Sequence, residues 1–233
     1  MGASTFAQRL RQLQDEISET AHQVGRAAGD ITLIGVSKRK SVADMQAAYD
    51  AGLREFGENR AQEVRDKFPG FAPEGITRHF IGHLQTNKVK YLPGRVDMIH
   101  TIDSIRIADA VDQRFGAQDI TIPVLVEVNI SGESNKAGVE PTQALELAAY
   151  CAEKANLEFQ GLMTIGPLTS DTTAIRGAFR SMMLIYEHVV SQVGTSGKPA
   201  VLSMGMSSDF RIAIEEGATH IRVGTSIFGA REY

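Results

Sequence analysis

The chain has 233 residues, of which 42% are hydrophobic and 22% are charged, and its formal net charge is -4. This composition excludes a disordered chain, and the acidic balance argues against a protein that binds nucleic acid through its phosphates. No apolar run approaches the roughly 18 residues of a membrane span, and the amino terminus lacks a signal-peptide pattern. The one cysteine, Cys151, cannot form an internal disulfide. We therefore expect a cytoplasmic globular protein.

The chain opens with apolar residues in helical spacing. The residues that share this helical face are Phe6, Leu10, Leu13, Ile17, Ala21, Val24 and Ala28. Thr5 and Gln8 have the spacing of a capping box at the helix start, and Gly29 ends the pattern. We predict an amino-terminal helix within residues 1–29 that packs on the rest of the protein.

Short apolar runs alternate with helical segments over the remaining chain. Strands are predicted at residues 31–37, 55–57, 78–82, 98–102, 122–130, 159–165, 200–204 and 220–224. The main predicted helices lie at residues 42–51, 104–115, 141–155, 174–193 and 207–216. This alternation is typical of an α/β protein with a closed (β/α)₈ barrel, so we predict one barrel domain over residues 1–233. An open doubly wound sheet is the alternative, but no Gly-x-Gly-x-x-Gly follows the first strand.

Polar residues follow several predicted strands, at the barrel end where active sites form. Lys38 comes directly after the first strand and shares strand parity with Ile34 and Val36. A lysine at the inner mouth of a barrel loses hydration, and its neutral amine can form a Schiff base with a carbonyl. The alternative interpretation is a salt-bridged lysine at the rim. Lys40 has the same parity but lies further out, so it is the weaker candidate.

The last two predicted strands are followed by segments that could bind an anion. Gly224-Thr225-Ser226 would let backbone amide groups and a hydroxyl approach a phosphate, and Ser207-Ser208 offers a second set. Loops after strands seven and eight commonly hold phosphate in this fold, although both segments could be ordinary helix caps. A Schiff-base lysine facing a phosphate site suggests either a phosphorylated sugar in an aldolase or pyridoxal 5′-phosphate (PLP).

Several motifs together resemble the pyridoxal phosphate homeostasis proteins. These are Gly35-Val36-Ser37-Lys38, Phe56-Gly57-Glu58-Asn59, the stretch from His79 to Lys88, Val128-Asn129-Ile130, Gly161-Leu162-Met163, the stretch from Leu202 to Asp209, and Ile221 to Gly229. The resemblance implies a barrel like the amino-terminal domain of alanine racemase, a Schiff base between PLP and Lys38, and a role in buffering or delivering PLP. The sequence departs from the family pattern at Arg78, where Trp is frequent, and at His83, where Pro is frequent.

The resemblance also implies roles for individual residues. In addition to Lys38, the implied PLP-binding residues are Ser207, Gly224 and Thr225 at the phosphate, Arg222 at the pyridine nitrogen, Asn59 and His79 in the pocket wall, and Met204 with Met206 against the ring. Arginine can only donate to the ring nitrogen, which leaves the nitrogen largely unprotonated and makes PLP a weaker electron sink.

Little or no amino-acid turnover is expected, because racemisation needs two acid/base groups and only the lysine is assigned. A racemase-type PLP enzyme is the second interpretation, and a Schiff-base aldolase is the third. The expected partners are PLP and apo PLP-dependent enzymes, with no nucleic acid or membrane, and a monomer is the expected state. His79, His83 and His100 lack the spacing of a zinc motif, so we expect no metal.

Overall fold

Eight parallel strands close into a barrel in the computed structural model, which describes residues 5–133 and 136–229. The strands follow one another around the barrel in chain order, and β1 pairs with β8. Their bounds are β1 Thr32–Val36, β2 Glu55–Glu58, β3 Thr77–Phe80, β4 Met98–Ile102, β5 Ile122–Glu127, β6 Leu157–Met163, β7 Val201–Met206 and β8 His220–Val223. The predicted (β/α)₈ barrel is confirmed, and the open sheet is excluded.

Helices surround the strands. They are α1 Phe6–Gln23, α2 Val42–Asp50, α3 Ala61–Lys67, α4 Ile105–Gly116, α5 Ala144–Ala152, α6 Thr172–Val193, α7 Phe210–Glu215 and α8 Thr225–Phe228. Between β3 and β4 a 3₁₀ helix, Thr86–Tyr91, takes the place of an α-helix. None of the helices in the described ranges is long and apolar enough to cross a membrane.

The amino-terminal helix packs against α7 and α8. Thr5 and Gln8 make both hydrogen bonds of the predicted capping box. Arg9 Nε donates to the carbonyl oxygen of Ile227 over 2.7 Å. The buried residues of α1 are Leu10, Leu13, Ile17, Thr20 and Ala21, which include four of the predicted apolar face. Residues 1–4 of the predicted 1–29 segment lie outside the described residues.

The inside of the barrel changes from apolar to polar along the strands. Met98, Leu125, Met163 and Val201 form an apolar cluster separate from the main core between strands and helices. Residues two positions further along a strand point the same way, one layer nearer its carboxyl end. On β4, β5 and β7 these residues are His100, Glu127 and Ser203, all of them buried. The barrel therefore carries polar groups directly below its carboxyl-terminal mouth.

Candidate functional site

A cavity of about 270 Å³ opens at the carboxyl ends of the strands. Its lining consists of Val36, Lys38, Asn59, Ile81, Ile165, Met206, Ser207, Ser208, Arg222, Gly224 and Thr225. Seven of the nine implied PLP-binding residues lie together here: Lys38, Asn59, Met206, Ser207, Arg222, Gly224 and Thr225. Active sites of (β/α)₈ barrels are built at this end. His79 and Met204 are not part of this lining.

The segment that carries Lys38 is held in place by β2 and α3. The Ser37 amide donates to the Gly57 carbonyl over 3.0 Å, and the Ser37 hydroxyl donates to Glu58 Oε1 over 2.7 Å. The Arg39 amide donates to Glu63 Oε2 over 2.6 Å, and Arg39 adopts a positive φ of 60°. Because these hydrogen bonds fix Ser37 and Arg39, they also restrict the backbone position of Lys38 between them.

Lys67 joins the acidic groups beneath this segment. Its Nζ donates to Glu58 Oε1 over 2.9 Å, to Glu63 Oε2 over 2.6 Å and to the Ser37 carbonyl over 2.9 Å. Burial raises the pKa of Glu58, whereas the charge and hydrogen bond of Lys67 oppose that shift. Sequence analysis did not identify Lys67, because it lies on α3, a helix to which the sequence pattern assigned no residue range.

The loops after β7 and β8 meet through Ser207 and Gly224. The Gly224 amide donates to Ser207 Oγ over 3.4 Å. A Cβ on Gly224 would lie 3.4 Å from Val36 Cβ, an ordinary contact distance, so the β8 loop lies directly beside β1. Neither α7 nor α8 has a side-chain cap within the described chain. The alternative interpretation as two ordinary helix caps therefore lacks the hydrogen bonds that it requires.

Arg222 lies below these loops and is buried. Its Nη1 donates to Ser203 Oγ over 2.6 Å, and its Nη2 donates to the Thr164 carbonyl over 2.8 Å. Burial lowers the pKa of Arg222 to about 10, against the opposing charges of Glu127 and Asp209. The guanidinium therefore remains charged at neutral pH and keeps N–H groups for a ligand in the cavity.

His79 lies inside the barrel, in the interior below the cavity. Its Nδ1 is 2.9 Å from His100 Nε2, and its Nε2 is 2.7 Å from Glu55 Oε2. The rings of His79 and His100 meet edge to face, with centroids 5.0 Å apart. The hydrogen-bonding capacity of the His79 ring is thus used within the barrel, and its predicted contact with PLP remains a prediction.

A bulge in β7 determines which methionine reaches the cavity. Ser203 pairs with His220 but Met206 pairs with Arg222, so β7 advances three residues while β8 advances two. Gly205 has a φ of +94° within this bulge. The extra residue directs Met206 into the cavity lining, whereas Met204 is buried in the core between strands and helices.

A smaller cavity of about 130 Å³ adjoins the first and shares Asn59, Ile81 and Ile165 with it. Its lining also includes Glu127, whose exposed fraction is 3%. Glu127 Oε2 and Asn59 Oδ1 have no hydrogen-bond partner. Burial and then the charge of Asp103 raise the pKa of Glu127 to about 7, while Arg222 opposes the shift. Sequence analysis missed this carboxyl because it lies inside the predicted strand 122–130, not among the polar residues that follow a strand.

Comparison with known proteins identifies the family. The sequence profile described as "Alanine racemase, N-terminal domain" matches residues 11–232. A pyridoxal phosphate homeostasis protein from Aquifex aeolicus is 39% identical over 226 residues, which cover 97% of this chain and 98% of the relative.

Two solved structures are similar to this chain in both fold and sequence. An unknown protein from Bifidobacterium adolescentis is 37% identical with a TM-score of 0.88, and the match covers 95% of this chain and 94% of that one. PipY of Synechococcus elongatus, solved with PLP bound, is 31% identical with a TM-score of 0.82, covering 96% and 100%. The resemblance noted in the sequence is confirmed: the chain belongs to the alanine racemase N-terminal domain family and, within it, to the pyridoxal phosphate homeostasis proteins.

Proposed function

We propose that this chain binds PLP on Lys38 and takes part in PLP homeostasis by holding the cofactor and releasing it to apo PLP-dependent enzymes. The observation that carries the proposal is the meeting of Lys38 with Ser207, Gly224 and Thr225 around one cavity. The relatives' name and the PLP in the PipY structure support the same ligand.

The residues present fit this ligand at each of its polar ends. The PLP aldehyde, when bound, forms a covalent bond with a primary amine, and Lys38 supplies such an amine within the cavity lining. The hydroxyls of Ser207 and Thr225 and the amides at the start of α8 suit a phosphate. Arg222 donates N–H groups and holds no removable proton at neutral pH, so it suits an unprotonated ring nitrogen.

The same residues support binding with little turnover. Arg222 cannot serve as a general acid, and no tyrosine belongs to the lining of either described cavity. Reversible binding requires that the Lys38 amine can be replaced by another amine, which an open barrel mouth permits. The expected location is the cytoplasm and the expected state a monomer, and both remain predictions.

One observation favours a second candidate, a racemase-type enzyme. Glu127 is a buried carboxyl with a pKa of about 7, in a cavity that shares Asn59 with the main one. A group that titrates near neutral pH can both accept and donate a proton. In this second function, Glu127 would supply the acid/base group that the lysine alone does not provide.

Incubation of the PLP-loaded protein with amino acids in deuterated water separates the two functions. We expect exchange of the Cα hydrogen to stay at the rate of free PLP, while PLP passes to an added apo-enzyme. Multiple turnovers within minutes that are lost in both Lys38→Ala and Glu127→Gln would instead establish the racemase-type enzyme. Failure of the protein to take up PLP would contradict both.

A further inference from the structure

A chain of hydrogen bonds crosses the inside of the barrel from Arg222 to Glu55. Arg222 Nη1 donates to Ser203 Oγ over 2.6 Å, and Ser203 Oγ lies 3.0 Å from His100 Nδ1. His100 Nε2 is 2.9 Å from His79 Nδ1, and His79 Nε2 is 2.7 Å from Glu55 Oε2. Each of these residues belongs to a different strand. This hydrogen-bond chain connects the cavity that contains Arg222 to a separate cavity lined by Glu55 and residues of α1.

The donor or acceptor role is fixed at each end of this hydrogen-bond chain. Arg222 can only donate, whereas an ionised carboxylate can only accept. Burial alone would raise the pKa of Glu55, but hydrogen bonds from His79 and Thr77 and the charge of His79 hold it below its usual value. Glu55 is therefore ionised at neutral pH and accepts from His79 Nε2–H.

For a neutral His79, the fixed ends determine the direction of every bond between them. Burial, reinforced by the charges of His79, His220 and Arg222, keeps the pKa of His100 well below its usual value, so His100 is neutral. A neutral imidazole has one donor nitrogen and one acceptor. When His79 is also neutral, its Nδ1 accepts from His100 Nε2–H, and His100 Nδ1 then accepts from the Ser203 hydroxyl. Ser203 thus presents only lone pairs to Arg222.

We propose that Glu55, His79, His100 and Ser203 are positioning residues, which act through Arg222 by holding its guanidinium as a donor toward the cavity. Glu55 sets the tautomers of the two histidines, and these direct the Ser203 proton away from Arg222. The guanidinium is then anchored at Ser203 Oγ and at the Thr164 carbonyl, with its other N–H groups free to meet the ligand. The inference rests on the function proposed above in one respect only: it takes the group that Arg222 meets to be the ring nitrogen of PLP.

The first test uses the ligand-free protein labelled with ¹⁵N-histidine, in mildly alkaline buffer. Nitrogen chemical shifts report which ring nitrogen carries the proton. We expect His79 and His100 both to carry it on Nε2. A proton on His100 Nδ1 would reverse the chain and overturn the proposal. Because PLP is absent from this measurement, its outcome does not depend on whether the protein binds PLP.

The second test compares variants at Glu55 and at Ser203, the residue next to Arg222, with a matched control. In Glu55→Gln the new amide can donate or accept, so we expect His100 to become a mixture of tautomers. In Ser203→Ala we expect PLP affinity to fall about tenfold, because the charged Arg222 loses one of the two hydrogen bonds that hold it, and the absorbance band of bound PLP to move.

The control is His220→Gln. His220 packs edge to face against His79 and His100 but hydrogen-bonds to Thr219, outside the hydrogen-bond chain, so affinity and absorbance should change much less than in Ser203→Ala. Equal effects of Ser203→Ala and His220→Gln would show a merely structural role and contradict the proposal. An unchanged His100 tautomer in Glu55→Gln would contradict it too. Should the Glu55 variant fail to fold, the wild-type tautomer measurement decides.

Discussion

The Lys40 ammonium donates a hydrogen bond to the carbonyl oxygen of Phe228 over 3.1 Å, and it is absent from the lining of the cavity that Lys38 reaches. Two lysines of the same strand parity thus have different surroundings. We expect Lys38→Ala to abolish the absorbance of covalently held PLP and Lys40→Ala to preserve it. Absorbance spectra of both variants with added PLP check this, and loss of the band in Lys40→Ala alone would reverse the assignment.

The phosphate prediction concerns Ser207 and Thr225, both in the cavity lining. Hydrogen bonds to a charged acceptor contribute roughly 1.5–3 kcal/mol each, so Ser207→Ala with Thr225→Val should weaken PLP binding at least about tenfold. Pyridoxal, which lacks the phosphate, should bind almost as before. Ser226→Ala is the control, since Ser226 is exposed and outside the lining. Titrations with both ligands test this, and an equal loss for the two would contradict a phosphate site here.

Glu127 gives a pH dependence with a definite sign. Its pKa in the folded protein is about 7, above the ordinary value of 4.5, so the folded state binds the proton more tightly than the unfolded state. The free energy of unfolding should therefore fall as pH rises from about 4.5 to about 7 and level off above. The full shift corresponds to at most about 3 kcal/mol.

Glu127→Gln removes this titration. Urea unfolding of the wild type and the variant, at about pH 5 and about pH 8, should show the variant gaining stability relative to wild type at the higher pH. Parallel changes in both proteins would mean that Glu127 titrates normally.

The β7 bulge depends on Gly205, whose φ is +94°. A Cβ there would lie 2.5 Å from the Ala213 Cβ, so Gly205→Ala should cost at least about 1–3 kcal/mol of stability. Gly177→Ala is the matched control: Gly177 lies within α6 and a Cβ there meets no atom within 4 Å. The control should gain about 0.5–1 kcal/mol. Thermal unfolding measures both, and similar melting temperatures would show that the bulge tolerates a side chain.

The apolar pattern of the sequence was sufficient to predict the barrel, because alternating strands and helices are compatible with only a few architectures. β4 lies at the predicted residues, Met98–Ile102. β5 ends at Glu127 instead of residue 130 because the Asn129 amide bonds to the Val139 carbonyl of the following loop. The bounds of α3 could not be predicted, because its seven residues bury only Ala61 and Val64, too few to show a helical period.

The parts of the site that sequence reasoning missed depend on geometry across strands. Strand parity alone places Met204 and Met206 on the same face, but the bulge between them separates their environments. The hydrogen bonds of His79 to His100 and Glu55 join three strands, and no spacing along the chain indicates them. Residues at strand ends were easier to assign to the site, because parallel strands bring all their carboxyl ends to one rim of the barrel.

The central claim is that PLP is held on Lys38, and borohydride reduction of the wild-type PLP-loaded protein tests it most directly. Reduction makes the bond between cofactor and lysine permanent, so peptide mass mapping locates it. The account predicts that the adduct lies on Lys38, in the peptide region that follows β1. An adduct on Lys40 or Lys88, with Lys38 unmodified, would contradict it.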